Sequence, residues 1–470
     1  MSSVKIRMFR QGLGDCFLLF FPGPNRASHV LIDFGVLIGT AEATEKMRAL
    51  AREIVKETNG ELDVLVATHE HWDHVSGFAQ ADTELGPDKL KVGEVWLAWT
   101  EKPDDPLAME LDKRRTRALN AVATTTQKLA GMAADGGAQR TAQRLRNVLE
   151  FWGGLGAGGF GAAGRRTTRT ALDWVRKRTE PKAPKYLEPG MAPFDVPGCD
   201  EVRVYVLGPP RDPKLLKRSD PSKRASEVYE LGGAADADFG FLAAVEANAE
   251  SGPAAAQPFE DWFRVSDAEA EQREFFQQHY GFAGDDWQRI ENDWLGLAGR
   301  LALQLDSDTN NTSLVLAFEF KKTGRVLLFP GDAQVGNWLS WHEGIAWRIP
   351  EAGGTRTVTA ADLLARTVLY KVGHHGSHNA TLREQGLELM TSEDLLAMLP
   401  VDRPTAKKME WAMPFPSLFE RLQERTKGRI LDLEQGLSPT APAGISRTDW
   451  DRFVAQTHVT NEWIEVQLEL

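Results

Sequence analysis

Along its first hundred residues the chain alternates short apolar runs with a single amphipathic stretch. Residues 16–21 form an apolar run behind Gly12 and Gly14, which predicts a buried strand. Residues 29–33 predict a second strand, closing on Asp33-Phe34-Gly35. Over 41–57, Met47, Leu50, Ile54 and Val55 share one face and Asn59-Gly60 follows, which predicts a helix and its stop. Residues 62–67 and 95–99 predict two more strands, and a run of histidines begins directly after the first of these.

The alternation then breaks. Residues 101–190 read as helical with interspersed Arg and Lys, interrupted by a glycine-rich surface loop at 153–159. A strand is predicted at 202–207, ending on Gly208-Pro209-Pro210. A second insertion follows at 211–305. Its last part reads as an amphipathic helix with Trp287, Ile290, Trp294, Ala298 and Leu301 on one stripe, a spacing that signals core packing. Strands resume at 313–320, 325–329 and 367–372. The last hundred residues mix helix with turns, with a closing strand at 462–468.

A chain of 470 residues with 42% hydrophobic and 26% charged residues has the make-up of a globular protein with a sizeable core. The reading is one domain over 1–470. Its core is 1–100, 200–210 and 310–380, with insertions at 101–190 and 211–305 and an extension at 381–470. Two cysteines, Cys16 and Cys199, exclude a disulfide framework and a Cys-rich zinc ribbon. No stretch spans a bilayer and the N-terminus lacks an apolar signal core, so the expectation is a cytoplasmic protein without membrane contact. Charge is uneven. Residues 101–190 hold 17 basic against 10 acidic side chains, and residues 231–310 hold 4 against 16, in a chain of net charge -12. Solvated helical faces account for both. The sharper expectation is that the basic insertion guides a polyanion and the acidic one docks a protein partner.

The chemistry concentrates in His69-Glu70-His71-Trp72-Asp73-His74. Three of the ten histidines lie here around one aspartate, at a strand end where alternate residues project to one side. His69 and His71 suit one metal, Asp73 and His74 a second, with imidazole and carboxylate donors fit for zinc, iron or manganese. Asp332, after Pro330-Gly331 at a later strand end, is placed to bridge two metals. Of the pair His374-His375 one is expected as a ligand and the other as a substrate-facing hydrogen-bond donor or general acid. Ser377 and Asn379 are natural contacts for charged substrate oxygens.

Taken in order, strand-Asp-Phe-Gly, His-x-His-x-Asp-His, Gly-Asp and His-His-Gly-Ser resemble the metallo-β-lactamase superfamily. The chain looks most similar to the branch containing the hydrolase domain of the competence proteins for DNA uptake. Gly12-Leu13-Gly14-Asp15, Asn310-Asn311-Thr312-Ser313-Leu314-Val315-Leu316 and Gly373–Gly376 with Ser377 carry that likeness. The resemblance implies an αββα sandwich with one or two divalent metals, Zn or Mn, at one edge. It implies hydrolysis by a metal-bound hydroxide with His69, His71, Asp73, His74, Asp332 and His375 as ligands. Asp73 would also orient the nucleophile, and His374 would join it in catalysis. Asp33 would brace the metal loop. Ser377, Asn379, Asn311 and Asp15 are the expected substrate contacts, Asp15 with an alternative structural role. Many superfamily members carry a further metal-binding His where this chain has Asn310 and Asn311, which shifts the expectation toward oxygen donors and manganese.

The expected function is a metal-dependent hydrolase, first a phosphodiesterase or nuclease acting on a phosphodiester or nucleic acid. Two alternatives stand beside it. One is hydrolysis of a lactone, thioester or β-lactam. The other is an effector hydrolase activated by a protein partner through 231–310.

Overall fold

The computed structural model describes residues 3–131, 136–153, 167–219, 265, 267–270, 272–280, 297–351, 354–409 and 411–469. The expected glycine-rich loop beyond Gly153, and Trp287, Ile290 and Trp294 of the expected tryptophan stripe, lie outside the described residues, as does most of the acidic insertion.

Strands buried on both faces read as continuous apolar runs, and β2 (Phe17–Phe21), Phe-Leu-Leu-Phe-Phe, is buried at every position. The first half supplies β1 (Ser3–Phe9), β2, β3 (Ser28–Ile32), β4 (Glu61–Ala67), β5 (Lys91–Ala98) and β6 (Lys185–Leu187). The second supplies β7 (Phe194–Val196), β8 (Cys199–Gly208), β9 (Val315–Phe320), β10 (Val326–Phe329), β11 (Ala346–Glu351), β12 (Gly354–Thr359), β13 (Thr367–Lys371), β14 (Leu396–Leu399), β15 (Ile430–Asp432), β16 (Thr457–Val459) and β17 (Trp463–Glu469). An eight-stranded sheet runs β16-β17-β1-β2-β3-β4-β5-β6, and a seven-stranded sheet runs β15-β14-β13-β10-β9-β8-β7. β11 and β12 form a separate hairpin.

Alternate side chains of each sheet meet in the middle. Val4, Ile6, Phe17, Leu19 and Phe21 pack with Val204, Leu316, Phe318 and Phe329 in one cluster. The rings of Phe17 and Phe329 meet edge-on at 5.6 Å across the layer. Each such large side chain stabilises the fold by roughly 1.5–3 kcal/mol through burial. The outer face of the first sheet is covered by α1 (Ala43–Glu57), α2 (Trp72–Gln80) and α5 (Thr168–Arg176) through Met47, Ile54, Val75, Phe78 and Leu172. That of the second is covered by Trp338, Trp341, Leu363 and Leu418. The layers are therefore helix, sheet, sheet, helix, the αββα sandwich expected.

The basic insertion is α3 (Pro106–Gly131) and α4 (Gly136–Leu149), which pack with the helix Leu297–Asn310 around Val122, Leu145, Leu149, Trp152 and Leu305. Among the described residues no helix is long and apolar enough to cross a membrane.

Three local differences stand out against the sequence reading. The insertion does not stay helical to its end, because Lys185–Leu187 adds an edge strand to the first sheet. The last hundred residues are richer in strand than expected. β14 and β15 extend the second sheet in parallel and β16 enters the first, beside the expected closing strand, which is β17 and pairs with β1. The unexpected strands, β14, β15 and β16, have only three or four residues, too few for a clear period. Finally, Asp73 and His74 sit in the first turn of α2, which starts at Trp72, and not on a loop before it.

Candidate metal centre

The metal loop leaves β4 at Thr68 and returns as α2, with His71 as the extended residue at the helix start. Two neighbouring segments clamp it. The Phe34 N–H donates to His74 O at 2.8 Å and the Asp15 N–H to Asp73 O at 3.0 Å. A Cβ on Gly35 would lie 2.3 Å from the Asp73 carbonyl carbon, so only glycine permits this approach. Gly14, at φ +147°, brings the Gly-Leu-Gly-Asp turn equally close.

Four donors converge where α2, the β10 end and the β13 end meet. One ligand atom each from Asp73, His74, Asp332 and His375 all lie within 4.8 Å of one another, and all four residues are buried. His74 Nε2 is 3.0 Å from Asp332 Oδ2, and His375 Nε2 is 3.0 Å from Asp73 Oδ2. Asp73 Oδ1 is sealed from solvent without a hydrogen-bond partner among the described residues. His69 adjoins this group, its ring 4.2 Å from that of His74, and its Nε2 is 3.0 Å from His71 Nδ1. Asp15, Asp33 and His74 form a second possible group. We favour the first as a metal position, because in the second Asp33 has both oxygens engaged by protein partners and Asp15 keeps only Oδ1 without a hydrogen bond among the described residues. Asp33 accepts from Thr68 N, Thr68 Oγ1 and His74 Nδ1, and Asp15 pairs with Lys371.

Electrostatics around the cluster are tightly balanced. Burial would lower His74, but Asp332, Asp73, Asp33 and Asp15 outweigh it and hold its imidazole well above the usual range. Burial likewise opposes ionisation of Asp332, and His74 and Lys371 overcome it, keeping the carboxyl well below its usual value. His69 is pushed far down by burial and by His74 and His71, and burial brings His71 to about 3. Burial, with Asp73 and Asp332 nearby, lifts Asp306 of the Leu297–Asn310 helix to about 8. Carboxylates in excess, lone pairs facing inward and an orphaned buried oxygen are what a divalent cation would neutralise, releasing the protons that stand in for it. The residues present therefore fit one or two divalent ions.

The remaining expected residues divide into those at the cluster and those held away from it. His374 and His375 adopt φ of 41° and 52°, a left-handed turn costly for residues with a Cβ. The turn separates the two rings. His375 Nδ1 is 2.6 Å from Pro400 O, which leaves Nε2 for the cluster. The His374 N–H binds Asp332 Oδ1, and its ring approaches Gln334 at 3.5 Å. Burial lowers His374 to about 4, so it is a neutral imidazole near pH 7. Ser377 donates to Asn379 Oδ1 at 3.1 Å, and Asn379 Nδ2 donates to Ser219 O at 3.2 Å. Asn311 is fully buried and engaged with backbone, donating to Arg218 O and accepting from Gln334 N and Asn337 N. Asp15 is buried against Lys371, and burial raises its carboxyl despite that ammonium.

Some functional neighbours escaped the sequence reading. Lys371 donates to Asp332 Oδ1 at 3.2 Å and to Gly331 O at 2.9 Å. A lysine closing the apolar strand Thr-Val-Leu-Tyr-Lys was an available signal, since lysines are rarely buried unpaired. Glu70 takes Arg115 of α3 at 2.6 Å and Thr168 Oγ1 at 3.1 Å, which ties the insertion to the metal loop. Arg169 and Arg176 likewise turn to Asp112 and Glu101. Asp306 carried no signal beyond its place four residues before Asn310.

Residues 11–167 match the family model of the metallo-beta-lactamase superfamily. The matched stretch contains the metal loop and Asp33, while Asp332 and His375 come from the other half of the sandwich. No curated protein matches the chain. A superfamily composed mostly of metal-dependent hydrolases, and a buried His/Asp cluster able to hold a metal, agree in the class of chemistry they point to.

Proposed function

We propose that this protein is a metal-dependent phosphodiesterase whose centre is the cluster of Asp73, His74, Asp332 and His375, with His69 and His71 beside it. The observation that carries the reading is the donor set. Two carboxylates and two imidazoles converge within 4.8 Å, with a further imidazole pair adjoining and a third carboxylate, Asp306, close by. Mixed imidazole and carboxylate sets of this kind suit zinc or manganese. Bound there, divalent ions supply a nucleophile at neutral pH and neutralise charge on a phosphoryl oxygen. The likeness of the Asn310-Asn311 and His374-His375 elements to the competence-protein branch favours phosphorus over carbonyl carbon as the reacting atom.

The chain's own residues have distinct tasks in this reading. Asp332 Oδ1 is occupied by the His374 N–H and Lys371, so only Oδ2 faces the donors. Asp73 presents Oδ1 to orient the attacking water. His374, neutral near pH 7, offers a ring N–H to a charged substrate oxygen, with Ser377 and Asn379 next to it in the chain. Arg115, Arg169 and Arg176 of the insertion are taken up by acidic partners. The reading is therefore made for the phosphodiester bond, and nucleic acid is one substrate to be tried. The acidic segment 231–310 remains a proposed docking surface for a protein partner, and the cytoplasm the proposed compartment.

The test is cleavage of bis(p-nitrophenyl) phosphate by protein stripped with chelator and reloaded with zinc or manganese. Restored cleavage that Asp73→Ala abolishes supports the reading. Folded, metal-loaded protein that leaves the diester intact but opens a lactone or thioester overturns it in favour of carbonyl hydrolysis.

A further inference from the structure

Each imidazole of a metal site needs its second ring nitrogen held, because that contact sets the tautomer and aims the lone pair. Three of the four imidazoles around the cluster have such a partner. His69 Nδ1 lies 3.1 Å from Thr68 Oγ1, whose own proton goes to Asp33 at 2.7 Å. His74 Nδ1 lies 2.8 Å from Asp33 Oδ2, and His375 Nδ1 lies 2.6 Å from Pro400 O. His71 differs. Its Nδ1 faces His69 Nε2 at 3.0 Å, and its Nε2 is buried without a hydrogen-bond partner among the described residues. Phe151 and Trp152 close over the ring, the latter edge-on at 4.6 Å, so solvent does not reach that nitrogen.

The acidic group facing it is Asp306. Its Oδ1 stands 3.8 Å from His71 Nε2 and is itself sealed without a hydrogen-bond partner. The other oxygen is held by Asn310 Nδ2 at 3.2 Å, one helical turn on, which turns Oδ1 toward the histidine. Two orphaned buried atoms of complementary type, separated by less than 1 Å beyond hydrogen-bond range, form a contact that a small side-chain rotation completes.

We infer that Asp306 is the positioning residue for His71, accepting its Nε2–H so that the Nδ1 lone pair is directed with His69 Nε2 at one ion. The inference rests on the metal reading above. It also gives the second insertion a task, since Asp306 reaches the centre from the helix that joins it to β9. Orientation of one ligand then depends on how that helix is seated. The chain lacks an imidazole at Asn310 and Asn311, and a carboxylate one turn earlier serves the same half of the site by a different route.

The experiment compares zinc affinity, by competition with a chromogenic chelator, and the protonation site of His71, by long-range proton–nitrogen NMR on histidine-labelled zinc-loaded protein. In wild type His71 should carry its proton on Nε2. Asp306→Ala should weaken zinc about 10- to 100-fold, the usual cost of removing such a partner, and Asp306→Glu should recover much of it. The metal-free variants should melt close to metal-free wild type, because Asp306 Oδ1 has no hydrogen bond to lose and only the Asn310 contact goes with it, which separates positioning from folding. A proton on Nδ1 of His71 in wild type, or unchanged zinc affinity in Asp306→Ala, overturns the inference and leaves the metal reading intact. Wild type that takes up no zinc overturns both.

Discussion

Asp33 Oδ2 lies 2.8 Å from His74 Nδ1, and the same carboxylate accepts the backbone and hydroxyl protons of Thr68. One aspartate at φ 57° therefore joins the end of β3 to the end of β4 and to α2. It commits His74 to the tautomer whose Nε2 faces Asp332. Asp33→Ala should reduce metal affinity about 10- to 100-fold, and it should leave Thr68 N buried without an acceptor. Asp33→Asn, which keeps an oxygen for Thr68, should lose less. Isothermal titration of metal into stripped protein checks both.

Arg115 holds Glu70 at the centre of the metal loop, where Glu70 is only 3% exposed. Removing one partner of a buried ion pair leaves the other charge uncompensated, at a cost of about 3 kcal/mol. Arg115→Ala should lower unfolding free energy by about that amount in urea titrations, while Arg115→Ala with Glu70→Gln should recover part of it. An unchanged midpoint for the single variant would show that Arg169 and Thr168 suffice to hold Glu70.

Gly35 lies against the backbone of Asp73 with no room for a methyl group. Gly35→Ala must displace the metal loop or the Asp33 turn, and overpacking of this kind costs on the order of 2 kcal/mol. Both a lower melting temperature and loss of bound metal are expected. Retention of full metal affinity would show that the loop relaxes without moving Asp73.

Burial lifts Glu150, between α4 and Phe151, from 4.5 to about 7 despite the nearby Lys408 ammonium. A carboxyl raised in the folded state favours folding while protonated. Its contribution is complete below about 4.5 and is lost as pH rises through about 7. Melting temperature should therefore fall between about pH 5 and pH 8 by an amount that Glu150→Gln removes. Equal slopes in the two proteins would refute this assignment.

Much of this organisation was legible in the residue order because buried strands announce themselves. Phe17–Phe21, Glu61–Ala67 and Val315–Phe320 are apolar runs next to Gly, Asn or His, and each appears as a strand close to its expected bounds. The metal loop was legible from residue type and spacing alone. What stayed hidden depends on the third dimension. β14 and β15 are short runs that become strands by pairing beside β13. The separate settings of His374 and His375 follow from a left-handed turn that two adjacent histidines do not advertise. Asn311 is an expected substrate contact by sequence, and in the fold its amide is engaged by Gln334, Asn337 and Arg218. The excess of Arg and Lys in 101–190 is the expected guide for a polyanion, and in the fold Arg115, Arg169 and Arg176 pair with acidic groups, Arg169 while its side chain stays 44% exposed.

The most direct test of the metal centre is anomalous diffraction from zinc-loaded crystals, collected on both sides of the zinc edge. The account predicts a peak bounded by His74 Nε2, Asp332 Oδ2, Asp73 and His375 Nε2. Crystals of protein shown to carry zinc, with no anomalous density among those four side chains, would contradict it.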